Sequence, residues 1–445
     1  MSADRTRRRA RRKPGALLDL DWAALRALLP PDLEASARAH GAFARAREVR
    51  DATTVLRLAL VYVTALPAFA DVAAWAVAAL GLAVTDGAIR YRVTAAAAWL
   101  EHLVGATLAR SLPAAAALPA RRLRILDATY AARPGATAMD WVLHVTYDVL
   151  AGAMVGVELT TSAGGEHLRR AVARAGDLVL GDRGYGRVAD LRAAYDGGFD
   201  ALLRVHLPNL IVHDARGVRW TPAALMAAAD RGDCDHAVTL TQKGDTVAAR
   251  LVLVALPREA ADRARHKVHK AAAARRKSAD PTTLALAGYV VLVTTLAPTV
   301  ATPAQLLRCY RVRWQVELFF KRAKSLLGLA TLTDARDDGA RVQLWGRLLY
   351  ATLVARAAVA RELVHAPADI VAATAPPVSL WKVTRLVARA LVAALLAPTT
   401  TRRARADAIR ARLRERPRRK RDWVRQHLTA WDALQEAANP AQTAA

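Results

Sequence analysis

The chain has 445 residues, 54% of them hydrophobic and 24% charged, enough apolar side chain to bury a sizeable core and to exclude a chain disordered throughout. That length leaves room for roughly two to four domains. The formal net charge of +27 suits a nucleic acid or another anionic surface as partner, although it says nothing about fold. Cys234 and Cys309 lie far apart and frame neither a disulfide scaffold nor a CxxC metal site, which fits a reducing cytoplasm.

Residues 1–20 read as a basic disordered arm. MSADRTRRRARRKPG is not followed by the apolar core and small-residue cleavage site of a signal peptide. Residues 21–118 read as a helical domain. DWAALRALLPPDLEASARAHGAF holds two short amphipathic segments broken at Pro30 and Pro31. REVRDATTVLRLALVYVTAL is a longer helical run, and TDGAIRYRVTAAAAWLEHLVGATLARSL opens on a Thr-Asp cap. Such a domain either recognises DNA ends or serves packing and dimerisation, and composition does not separate the two. The apolar stretch 55–84 is interrupted by Arg57, Pro67 and Asp71, so buried helices explain it better than a membrane span.

From residue 119 the period changes. LRILDATY is a strand core closing at Asp127, and WVLHVTYDVL and MVGVELTTS are two further strands. GGEHLRRAVARAG reads as a helix closed by Gly176. DLVLGDRGYG is a short strand that ends at Asp182 and enters a glycine-rich turn; RVADLRAAYDGGFD is a helix and ALLRVHLP a strand. The order β-β-β-α-β-α-β predicts an α/β mixed sheet and matches ribonuclease-H-like topology. Order alone leaves other mixed sheets open; residues 119–207 carry this pattern and 208–300 interrupt it. The interruption holds the strands DHAVTLTQ, TVAARLVLVALP and YVVLVTTL and the basic helix PREAADRARHKVHKAAAARRKSAD. The charges of that helix are almost all of one sign, which favours a DNA-facing patch over a merely solvated face. Residues 301–366 would complete the core, with helices at 303–328 and 340–366. Residues 367–445 form a basic helical C-terminal region that includes 379–397 and TRRARADAIRARLRERPRRKRDWVRQHL.

The most informative stretch is YRVRWQVELFFKRAKSLLGL, 310–329. At helical spacing Tyr310, Arg313, Glu317, Lys321 and Lys324 share one face, and Val312, Val316, Phe319, Phe320, Ala323 and Leu327 lie opposite. One carboxylate flanked by cations and a phenol can bind a divalent metal and hold phosphates. The same spacing also suits simple pairing of Glu317 with Arg313 and Lys321, and periodicity alone leaves both readings open. Asp127 and Asp182 end predicted strands, where ligand groups gather in α/β sheets. Gly181, Gly184 and Gly186 permit a tight turn around Asp182. Two strand-end aspartates and a helix glutamate are the oxygen donors a hard metal requires. His144 fits a strand residue better than a general base, Asp148 and Glu158 lie on strand-like segments, Glu166 opens the helix read at 164–176, and His206 and His213 lack zinc-ligand spacing.

In these residues the chain resembles the IS4-family DDE transposases of bacterial insertion sequences. Their hallmark spacing of Tyr, Arg, Glu and Lys is met by Tyr310, Arg313, Glu317 and Lys324 within YRVRWQVELFFKRAK. Their D-R-G-Y stretch is matched by Asp182, Arg183, Gly184 and Tyr185, and their strand D-A-T by Asp127, Ala128 and Thr129. The resemblance implies a ribonuclease-H-like core, begun by residues 119–207, with a mainly β insertion at 208–300 before the glutamate. It implies Asp127, Asp182 and Glu317 as catalytic residues holding Mg²⁺, with Mn²⁺ able to substitute. Tyr310, Arg313 and Lys324 would grip phosphates, assisted by Lys321 and Arg183. The enzyme would nick double-stranded DNA at the inverted-repeat ends of an element and join the 3′-OH ends to target DNA, as a homodimer on paired ends, in the cytoplasm at the nucleoid and without a membrane. The alternatives are a ribonuclease-H-like nuclease without strand transfer and a non-catalytic DNA-binding derivative; the intact acid triad argues against the second.

Overall fold

The computed structural model describes residues 18, 20–109, 121–149, 153–361, 363, 379–401, 403, 404, 406 and 407. Most of the basic arm read at 1–20 and most of the basic stretch beyond 401 lie outside the described residues.

Apolar alternation makes residues 123–161 an antiparallel meander of β1 (Leu123–Ala131), β2 (Trp141–Asp148) and β3 (Ala153–Thr161). β4 (Leu178–Gly181) joins β1 in parallel, and β5 (Asp200–Arg204) joins β4 in parallel. The helix Val188–Asp196 carries the chain from β4 to β5. The order β3-β2-β1-β4-β5 is the ribonuclease-H-like core expected from the sequence. The sheet continues past β5 through β10 (Tyr289–Thr294), β9 (Asp245–Ala255), β8 (Asp235–Gln242), β6 (Ile211–Asp214) and β7 (Arg219–Trp220), making ten strands among the described residues. The strands of 208–300 therefore extend the core sheet rather than forming one of their own. They are accompanied by helices Pro222–Asp230, Arg258–Ala274 and Pro281–Leu286.

The two-residue period of the strands sends neighbouring side chains to opposite faces. Ile125, Leu180 and Leu202 join one core cluster, whereas Leu126, Val179 and Leu203 join the other. The second cluster is covered by the helix Val188–Asp196 through Val188, Leu191 and Ala194. The first contains the N-terminal helices and the helices Trp314–Leu327, Asp337–Ala360 and Leu380–Leu396. The helix Asp337–Ala360 is buried along most of its length, and it packs on Ala52–Thr64 where Gly346 omits a Cβ that would stand 2.9 Å from Val63. Buried Arg57 ties the N-terminal domain to the C-terminal helix by donating from Nε to the carbonyl of Leu395 at 2.9 Å. That end-capping contact explains why an arginine interrupts the apolar run 55–84.

Several local expectations need correction. The segment 164–176 is not a helix but two short 3-10 turns and loop, because Asp190 draws in the Leu168 amide at 2.6 Å and Arg170 binds the carbonyls of Gly164 and Gly165. The long helix read at 303–328 is two helices, Pro303–Arg311 and Trp314–Leu327, with a turn at Val312 and Arg313. The Thr85-capped helix pauses at Ala96. β1 does not end at Asp127; it runs on to Ala131, paired with β2.

Candidate active site

Strand register builds the acidic centre. Ile125 of β1 pairs with Leu180 of β4. Asp127 and Asp182 each lie two residues further on, so they stand in the same row and on the same face, at a strand spacing of about 4.8 Å. β4 stops at Gly181 while β1 continues, and the sheet is notched beside Asp127. Asp182 keeps an extended backbone and accepts the Gly184 amide on Oδ1 at 2.8 Å, which folds the D-R-G-Y residues into a one-turn 3-10 helix. Tyr185 is fully buried beneath it and anchors the turn in the core.

The helix Trp314–Leu327 lies over the same face. Val316, Phe320 and Ala323 enter the core cluster that holds Ile125 and Leu180, and this turns Glu317, Lys321 and Lys324 outward. Arg313, in the turn before that helix, reaches Asp127 Oδ2 at 3.3 Å with Nη1 and Glu317 Oε1 at 2.5 Å with Nη2. Its guanidinium also sits over the Tyr310 ring, 6.0 Å from the centroid. Of the two sequence readings of Glu317, the structure shows the pairing with Arg313, and the same arginine ties it to the strand aspartate. Lys321 is exposed and Lys324 half-buried, on the same helix face.

The electrostatics are those of crowded acids. Burial, with Asp182 and Glu317 nearby, pushes the Asp127 carboxyl up to about 6, against opposing effects of the Ala128 amide and Arg313. Burial also pushes the Tyr310 hydroxyl up to about 12, although Arg313 and Arg204 pull it down. Arg183 is held below its usual value by burial and by Arg204.

Glu166, which the sequence placed at a helix start, instead lies in a loop against the turn Arg183–Tyr185. A Cβ on Gly184 would fall 1.7 Å from its Oε2, so a larger residue there would displace the Glu166 carboxylate. Burial and Asp182 raise its pKa. Nothing in the spacing of 166 and 182 announces this contact, because a tertiary fold creates it. His144 is buried in β2 with Nε2 3.0 Å from Thr160 Oγ1, away from the acids. Asp148 pairs with Arg124, and Glu158 with Arg170.

Among the described residues, no group of three His, Cys, Asp or Glu side chains is gathered closely enough to hold a metal ion. Arg313 stands between Asp127 and Glu317 as their counter-ion. In donor type the set still fits a hard divalent cation, because every donor is a carboxylate oxygen.

A ribonuclease-H-like sheet with one aspartate inside β1, a second just past β4 and a helix-borne glutamate over the same face is the arrangement of a class of nucleic-acid phosphoryl-transfer enzymes. Residues 119–353 match the family described as Transposase DDE domain. The InsL protein of insertion sequence element IS186A of Escherichia coli K12 is 34% identical over 75% of this chain and 93% of its own length. The transposase for insertion sequence element IS421 of Escherichia coli is 33% identical over the same shares. A solved piggyBac transposase synaptic complex with hairpin DNA gives a TM-score of 0.43 at 9% identity, covering 90% of this chain and 87% of that one. The chain belongs to the DDE transposases, akin to those of bacterial insertion sequences, and membership carries the family chemistry of DNA cleavage and strand transfer, with divalent metal as the family's general cofactor. Among the described residues no helix is long and apolar enough to cross a membrane.

Proposed function

We propose that this transposase nicks DNA at the ends of its own insertion sequence and joins the freed 3′-OH ends to target DNA in a Mg²⁺-dependent reaction centred on Asp127, Asp182 and Glu317. The observation that supports this most strongly is the shared register row of the two aspartates beneath the helix that carries Glu317. The three carboxylates would hold Mg²⁺ or Mn²⁺, which when bound supplies Lewis acidity at the phosphoryl group and makes the attacking oxygen a better nucleophile. The chain's own groups do the rest. Arg313 restrains Asp127 and Glu317 before DNA arrives, and its planar fork then suits a phosphate. Tyr310 keeps its proton at neutral pH and donates it in a hydrogen bond to a phosphate oxygen. Lys324, Lys321 and Arg183 add charge along the strand being cut. The basic helix Arg258–Ala274, whose cations are exposed, supports sequence-independent contact with duplex DNA.

Two ends must be cut and joined to one target, so the working unit is a homodimer on paired inverted-repeat ends, acting at the bacterial nucleoid in the cytoplasm. The test is incubation with Mg²⁺ and DNA carrying the element's ends, with products resolved as nicks, double-strand breaks and joined molecules. Joined product that depends on Mg²⁺ is expected. Nicks without joining would indicate a plain nuclease, and binding without cleavage a non-catalytic derivative.

A further inference from the structure

The register row that aligns the two aspartates has a third member. Leu180 of β4 pairs with Leu202 of β5, just as Ile125 of β1 pairs with Leu180. Two residues beyond each stand Asp127, Asp182 and Arg204. Three adjacent parallel strands therefore deliver two carboxylates and a guanidinium in one row and on one face. Arg204 is the last residue of β5, and β10 pairs it with Leu292 on its far side. The turn after Asp182 presses on its backbone: a Cβ on Gly186 would stand 2.4 Å from the Arg204 carbonyl oxygen.

Arg204 lies one strand from Asp182, yet no ion pair joins them within 4 Å, and none joins Arg204 to any other carboxylate among the described residues. Its Nε is buried without a hydrogen-bond partner. A guanidinium placed only to balance the acids would close on one of them, as Arg313 does. Arg183 is likewise without a carboxylate partner among the described residues, and it repels Arg204. Tyr310 is also within electrostatic reach of Arg204. A half-buried guanidinium, Arg204, and an exposed one, Arg183, held near each other with a neutral phenol beside them, leave a place for an anion with several oxygens. Beside a DNA-cleaving centre that anion is a backbone phosphate.

We propose that Arg204 and Arg183 form a phosphate seat next to Asp182, which holds a DNA phosphodiester neighbouring the scissile one and fixes the strand against the catalytic row. The inference rests on the transposase reading and adds Arg204 to the residues that the sequence motifs mark. Arg204 is a binding and positioning residue here, because it touches a phosphate that does not react.

The test is binding of element-end DNA without divalent metal across a salt series, for wild type, Arg204→Ala and Arg204→Lys, with thermal melts to establish folding. A lost phosphate contact reduces the magnitude of the slope of log K against log salt by about 0.9. Arg204→Ala is expected to show that change with about tenfold weaker binding at moderate salt, and Arg204→Lys to recover the slope. Metal affinity, read by calorimetry without DNA, separates the other role: a residue that only balances the acids would leave the DNA slope at the wild-type value and tighten metal binding when removed. Wild-type slope and affinity in folded Arg204→Ala would overturn the proposal. If that variant does not fold, Arg204→Gln reads the same loss of charge, and an unchanged slope there would overturn it equally. Metal-free binding does not depend on catalysis, so failure of Mg²⁺-dependent cleavage by wild type would count against the enzymatic reading alone.

Discussion

Strand β1 carries two charged clusters three residues apart, and they are built to opposite rules. Arg124 is 1% exposed and lies opposite Asp148 across the β1–β2 ladder, 3.1 Å away, with Asp177 at 3.5 Å. Arg122 joins Asp177 at 2.8 Å. Two guanidiniums there meet two carboxylates, and water is shut out. At Asp127 two carboxylates, Asp127 and Glu317, share Arg313, Asp182 stands nearby, and Glu317 is 56% exposed. The first cluster is closed and its charges are paired; the second leaves Asp182, Arg183 and Arg204 without an ion-pair partner among the described residues and keeps an open side. A strand end that only has to stay folded completes its pairs, whereas the incomplete pairing at Asp127 is what the proposed cation and phosphate would need.

The sharpest break of this comparison is neutralising each acid of the open cluster. Asp127→Asn, Asp182→Asn and Glu317→Gln should each lower Mg²⁺-dependent nicking at saturating DNA by at least about 10³-fold, roughly 4 kcal/mol of transition-state stabilisation. Nicking at the wild-type rate by any of the three, folded, would remove that residue from the site. In the closed cluster, Arg124→Met should leave carboxylates buried without their partner and destabilise the fold by about 3–5 kcal/mol. Denaturant unfolding measures this, and the molecules that remain folded should still nick.

The pH dependence sharpens the contrast. The folded pKa of Asp127, about 6, lies above its ordinary value of 3.8. Its contribution to stability is therefore complete below the unfolded pKa and is lost as pH rises through about 6. At pH 7 without metal, Asp127→Asn should be the more stable protein by on the order of 2 kcal/mol, and the difference should vanish near pH 4. Melting curves at the two pH values, with and without Mg²⁺, decide this; a less stable variant at pH 7 would contradict it. The smallest effect expected is the stability change of Glu317→Gln. Its exposed i,i+4 pair with Arg313 is worth only about 0.2–0.5 kcal/mol, so urea midpoints should barely move in the variant whose nicking collapses.

The core strands were legible because short segments rich in Leu, Ile, Val and aromatic residues, bounded by glycines and polar turns, leave few alternatives. Asp182 was legible as the end of β4, since three glycines in six residues force a turn there. The centre of β1 was less so: nothing local says that a strand continues past Asp127, and it is β2, pairing Asp127 with Val145, that extends it. Residues 164–176 have helical periodicity, yet the buried carboxylate of Asp190 and the side chain of Arg170 take their backbone partners instead. The helix face bearing Glu317 was correctly ordered, although Val312 and Arg313 bend the chain and let the arginine reach back to β1. Glu166 and Arg204 escaped because contacts and register, not spacing, bring them to Asp182.

The pairing of β5 with β10 has a consequence for the chain between them. The backbone leaves the core after Arg204 and returns to it along Tyr289–Thr294, with Arg204 directly opposite Leu292. Exit and re-entry are neighbouring rungs of one ladder. The intervening stretch is in effect a cassette closed at its base, and Arg192 and Tyr195 of the helix Val188–Asp196 also hold its strand β9 by the carbonyls of Thr246 and Ala248.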